Sequence, residues 1–205
     1  MSPFASLFDL AAGRPLPEEK DGSAHRLQLA VRATLASVGL AAIFGVAVGS
    51  TDTATLVANV YRAPMVTVLS AAAALPTALL AWKLTGAPGR ASDLVLGAAS
   101  GVFSATLLLA ALSPLLALFY QTSIYAGFFA MACVALATVL GLFTAVRAVL
   151  NRVPDGASWI HAALPTSVMM FVQLATLSQL IQVAGGLLPE RTVFDGGVDA
   201  IVGTR

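Results

Sequence analysis

The sequence predicts an all-α fold, a polytopic bundle of five transmembrane helices, and three observations carry that expectation. First, residues 94–146 form a run of 53 without a single Asp, Glu, Lys, Arg or His. A bilayer core about 30 Å thick takes roughly 20 apolar residues of helix, so this run holds two spans and a turn. Second, 58% of the 205 residues are hydrophobic and only 10% are charged, where soluble domains carry about 25%. Third, the basic residues lie in short clusters that alternate along the chain with uncharged runs.

The elements follow in order. Residues 1–32 form an N-terminal segment outside the membrane, with no basic n-region or apolar h-region of a secretory signal. Within it Phe4, Leu7, Phe8 and Ala11 recur at i, i+3, i+4, i+7, the spacing of an amphipathic helix. That spacing predicts either a short in-plane helix on the bilayer surface or a tail packed on the protein's own loops. Glu18-Glu19-Lys20-Asp21-Gly22 reads as a solvated linker, and a helix is expected from about Ser23.

The transmembrane domain is expected over 33–185, with spans at about 33–51, 64–84, 94–119, 124–146 and 160–184. Thr51-Asp52-Thr53 stops the first span, and Asp52 is placed to cap a short helix reaching Tyr61. Pro76 predicts a kink or unwinding in the second span. Trp82 and Lys83 mark its interfacial end. Tyr120-Gln121-Thr122-Ser123 is the turn of the central hairpin, and Asn151 to Gly156 is turn chemistry before the fifth span. Gly185-Gly186 stops the last helix, leaving 186–205 as a short tail.

Loop charges orient the bundle. Arg14, Lys20, Arg26, Arg32, Lys83, Arg90, Arg147 and Arg152 fall on one side, eight of the eleven basic residues. The positive-inside rule then places the N-terminus in the cytoplasm and the C-terminus outside. The expected location is a plasma membrane, the inner membrane of a bacterium.

Small residues recur every four positions on three spans: Ala41, Gly45 and Gly49; Gly97, Gly101 and Ala105; Ala137, Gly141 and Ala145. Such strips let helices approach closely, and internal packing is the first expectation ahead of contacts between copies. The fifth span departs from the apolar pattern, with Gln173, Thr176, Ser178, Gln179 and Gln182. Ala175, Ser178, Gln179 and Gln182 share one face about 100° wide at 100° per residue. Amides are costly in hydrocarbon unless paired, so these must meet another helix, another subunit or water. Interhelical hydrogen bonds are the first reading, a pore lining the second, a polar substrate site the third.

Catalytic chemistry finds no foothold. No Asp, Glu or Arg falls within a predicted span, and Lys83 and His161 lie only at span ends, which argues against a pump or proton-coupled carrier. His25 and His161 are the only histidines, neither near a carboxylate in spacing, and Asp195 and Asp199 read as solvated turn residues. Cys133, the only cysteine, lies in an apolar run and reads as a packing residue. No catalytic residue, cofactor or metal is expected, and the absence of any basic run makes nucleic acid an improbable partner.

The five-span plan with a short external tail resembles that of Yip1-like membrane proteins. The stretch Ala110 to Phe119, with Ser113-Pro114, is similar to the proline-containing end of their third span. Thr122 to Phe129 is similar to the polar turn and aromatic start of their fourth. The resemblance covers roughly residues 33–185 and implies a non-enzymatic role in membrane organisation. The acidic and glycine-containing N-terminal motif of eukaryotic members is not present, so their small-GTPase partnering is not expected here. The residues themselves point the same way: a scaffold, membrane-organising factor or accessory subunit acting by helix–helix contact. Its partners would be the lipid bilayer and either a second copy or a larger membrane complex. The alternative is an oligomeric channel or facilitator with Gln173, Gln179 and Gln182 along a polar path.

Overall fold

The computed structural model describes residues 3–12, 22–87, 89–123, 125–152 and 159–183, with backbone alone at 3–5, 159, 161–162 and 182–183. They form six helices: α1 (Pro3–Ala11), α2 (Ser23–Val48), α3 (Thr53–Leu84), α4 (Ala91–Thr122), α5 (Ala126–Leu150) and α6 (Trp159–Val183). No strand occurs among the described residues. The five helices α2–α6 are each long and apolar enough to cross a membrane, and the chain is a multi-pass integral membrane protein. The linker at 18–21, the glycine pair at 185–186 and the tail at 186–205 lie outside the described residues.

Helix ends are set by local hydrogen bonding. The Asp52 carboxylate accepts from the Thr55 backbone N–H and from its hydroxyl, both at 2.9 Å, and so caps α3. From there α3 runs unbroken through Pro64 and Pro76 to Leu84, so the expected short helix and second span are one element. The amide that Pro64 lacks removes one bond only. The ring packs in a buried position inside the bundle, where tertiary contact holds the helix together. At its far end the Ala87 N–H reaches the Trp82 carbonyl at 3.2 Å and the Gly86 N–H that of Lys83 at 3.4 Å. This double bond pattern needs a left-handed residue at its centre, supplied by Gly86 at φ 60°.

The central hairpin is α4–α5. Its α4 arm extends to Thr122, three residues beyond the expected end, with the Thr122 hydroxyl bonded back to the Leu118 carbonyl at 2.8 Å. Phe119 and Phe129 stack across the turn, centroids 4.4 Å apart. α4 is the hub and packs along both α2 and α5. α3 leaves α2 to lie on α6, and α6 closes back more lightly on α5. The five helices thus form a ring, α4–α2–α3–α6–α5, around a central space.

α3 crosses this ring obliquely. At one end it touches α2, where Ala63 joins Phe44 and Val48 in a cluster that continues into Leu116 of α4 and Ala130 of α5. At the other end its Ala74, Ala78 and Trp82 pack with Leu94, Val149 and Met169, on α4, α5 and α6. A third cluster holds α1. Leu7 and Leu10 are buried against Leu29, Ala33, Leu96 and Phe103, so α1 docks across the first turns of α2 and α4. Phe8 faces away and is exposed. The segment thus forms a helix packed on α2 and α4, not on loops.

Candidate functional site

Small residues decide how closely the helices meet. A Cβ added at Gly45 would collide with the Asn59 backbone, and one at Gly49 with that of Leu56, which fixes the α2–α3 contact. Across α4–α5, a Cβ at Gly101 would lie 2.6 Å from the Gly141 carbonyl oxygen, and one at Gly141 2.7 Å from that of Gly101. A Cβ at Gly97 would meet the Val149 side chain at 2.5 Å. All five glycines therefore sit at crossings inside the chain. Cys133 is a free, buried thiol in the cluster near one end of the ring.

The ring holds a partly open cavity of about 90 Å³ with walls from all five membrane helices. Most of the wall is small and apolar. Its polar groups are Thr67 and Ser70 on α3, Thr106 on α4, Thr138 on α5 and Gln173 on α6. Each hydroxyl donates back to its own helix: Thr67 to Ala63 at 2.8 Å, Ser70 to Thr67 at 2.9 Å, Thr106 to Val102 at 2.9 Å, Thr138 to Val134 at 2.7 Å. Such bonds satisfy the donor and leave each oxygen with acceptor capacity. On α6 the stripe Gln173, Leu177, Ile181 faces this space at four-residue spacing.

The polar residues of α6 are not brought together. Gln173 looks into the ring, whereas Ser178 and Gln179 are exposed on its outside, alongside exposed Ala175. Six residues of helix place Gln179 about 120° from Gln173, so one path within one chain cannot be lined by both. Thr176 is half-buried between the two faces. The Ser178 hydroxyl returns to the Ala175 carbonyl at 2.8 Å, so hydrogen bonds to neighbouring helices do not account for it. The side chains of Gln182, Trp159 and His161 lie outside the described residues. α6 is also the least embedded helix: 17% of its apolar window is buried, against 28–39% in the other four.

One charged pair escaped the sequence reading. Arg26 on α2 and Asp93 on α4 form an ion pair whose side chains are 7% and 5% exposed. Asp93 also accepts from the Arg90 backbone N–H at 3.0 Å through its second oxygen, capping α4. One carboxylate therefore starts a helix and ties it to its neighbour. Both residues lie just outside the expected spans, where charges read as solvated. The available signal was phase: Arg26 continues the buried row Leu29, Ala30, Ala33, Ser37 and Ala41.

Ser100 and Ser104 are buried and bond to the carbonyls of Gly97 and Ser100 at 2.7 and 2.9 Å. Among the described residues no three His, Cys, Asp or Glu side chains are grouped to hold a metal ion. No protein-family model, curated protein or solved structure matches this chain.

Proposed function

We propose that the chain is a non-enzymatic subunit of a membrane assembly, a scaffold or membrane-organising factor, and that the outer face of α6 is where its partner sits. The observation that carries this reading is the exposure of Ser178 and Gln179 on the least embedded helix. An amide facing hydrocarbon loses its hydrogen bonds, whereas the same amide against a second helix regains them. The resemblance to Yip1-like proteins supports the same role, as does the internal use of every glycine strip, which leaves α6 as the face still to be satisfied. Its setting would be a bacterial plasma membrane with the N-terminus in the cytoplasm. A second copy is the simplest partner.

The test is the mass of the purified protein in mild detergent, by light scattering, for the native chain and for Ser178→Ala/Gln179→Leu. A defined oligomer that the double substitution dissociates supports the proposal. A monomer in both cases, with no co-purifying partner, removes it.

The central cavity favours a second reading, a facilitator for a small neutral solute. Gln173 and the hydroxyl lone pairs would supply its polar contacts. A liposome flux abolished by Gln173→Leu, with assembly intact, would decide for it.

A further inference from the structure

The central cavity is bounded along the axis of the bundle. On α4 its lining runs from Ala98 to Leu109, with Leu94 and Leu116 buried in packed clusters to either side. On α5 it runs from Val134 to Ala145, between buried Ala130 and Val149. The space is therefore a chamber part-way along the bundle. Among the described residues, no Asp, Glu, Lys, Arg or His lines it. A charged ligand would enter without a counter-charge, at a desolvation cost that no wall group offsets.

We propose that this chamber binds a small neutral molecule with a primary-amide head, which both donates and accepts hydrogen bonds, on a short apolar tail. Gln173 specifies the head. The hydroxyl protons of Thr67, Ser70, Thr106 and Thr138 are all committed to carbonyls of their own helices. The Gln173 amide is thus the one uncommitted donor among the lining side chains. It is half-buried and has no protein hydrogen-bond partner among the described residues. A side-chain amide presents N–H and C=O side by side. A second primary amide meets both at once through a pair of N–H···O bonds. A carboxylate, which only accepts, matches one of the two.

Volume and the rest of the wall set the tail. A dry apolar cavity of about 150 Å³ holds benzene. By proportion, about 90 Å³ admits a molecule of roughly four or five heavy atoms. Beyond Gln173 the α6 stripe continues as Leu177 and Ile181, and the facing wall is largely alanine, valine and leucine. A molecule polar all round would lose hydrogen bonds against that wall, whereas an ethyl tail suits it. The proposal rests on the cavity of the facilitator reading and narrows its solute, and it requires no flux.

The experiment uses the full chain in mild-detergent micelles with propionamide as the probe. Binding is read by saturation-transfer NMR against protein-free micelles. We expect saturable transfer to the propionamide methyl protons, and none above background for propionate, its charged isostere. Gln173→Leu should weaken propionamide binding at least fivefold, and Val134→Phe, which fills the chamber from α5, should abolish it. Ser178→Ala/Gln179→Leu, on the outer face of α6, should leave it unchanged. Absence of saturable propionamide binding, equal binding of propionate, or binding unaffected by Gln173→Leu overturns the proposal. The first two outcomes use native protein alone and stand whether or not the variants fold. Saturable binding without propionamide flux into liposomes removes the facilitator reading and supports the site, whereas flux without saturable binding overturns the site.

Discussion

Gly101 and Gly141 face each other across the α4–α5 crossing, each so near the other's carbonyl oxygen that a methyl on either would lie within 2.7 Å of it. The obstacle is backbone, not the end of a flexible side chain, so relief requires two helices to part. Gly101→Ala and Gly141→Ala should each destabilise the protein by about 1–3 kcal/mol, the usual range for overpacking. Gly39 is the control, with nothing within 4 Å of an added Cβ. Gly39→Ala should be neutral or stabilising by up to about 1 kcal/mol through helix propensity. Because the two crossing glycines share one contact, their double substitution should fall short of additivity. Unfolding in mixed micelles measures all four. Equal effects at Gly39 and Gly101 would contradict the close crossing.

The Arg26–Asp93 pair predicts an asymmetric double-mutant cycle. Removing one partner leaves a buried charge without its ion pair, a loss of about 3–5 kcal/mol. Asp93→Leu should be the worse single change, since it also removes the cap on the Arg90 N–H, worth about 1 kcal/mol. Arg26→Met with Asp93→Leu should recover much of the loss, because an apolar pair of similar bulk needs no solvation. If the double variant is as unstable as the sum of the singles, the two side chains do not act as a unit.

Asp52 gives the pH dependence. Its hydrogen bonds from the Thr55 backbone N–H, and then from the Thr55 hydroxyl, hold its carboxyl below the ordinary value of 3.8. A lowered folded-state value stabilises the charged form. The α3 cap therefore contributes fully above pH 3.8 and is withdrawn as pH falls through the folded-state value. The protection of the Thr55 amide against hydrogen exchange, taken relative to the free-peptide rate at each pH, should fall over that acid range in the native protein. Asp52→Asn keeps a capping acceptor without the titration and should flatten the profile. A profile of the same shape in both would assign the acid effect to another group.

How much of this was legible beforehand depends on the range of the interaction involved. The five spans follow from runs of apolar residues, because the bilayer acts on each segment separately. Asp52 as a cap is equally local, set within a few residues. The run of α3 through Pro64 was not legible. Proline lowers helix propensity locally, and only packing from the rest of the ring overrides it. The Arg26–Asp93 pair joins positions 67 apart, and no periodicity reveals such a partner.

The sequence by itself determined that this protein is a bundle of membrane helices with small faces and one polar helix. Composition and period suffice for that, since burial in lipid or protein demands apolar side chains either way. Only the tertiary structure decided the direction of each face. It placed Gly101 against Gly141, and turned Gln173 inward and Gln179 outward. The physical reason is that lipid and helix interior are almost equally apolar. Hydropathy therefore cannot distinguish them, and close packing between particular residues makes the choice.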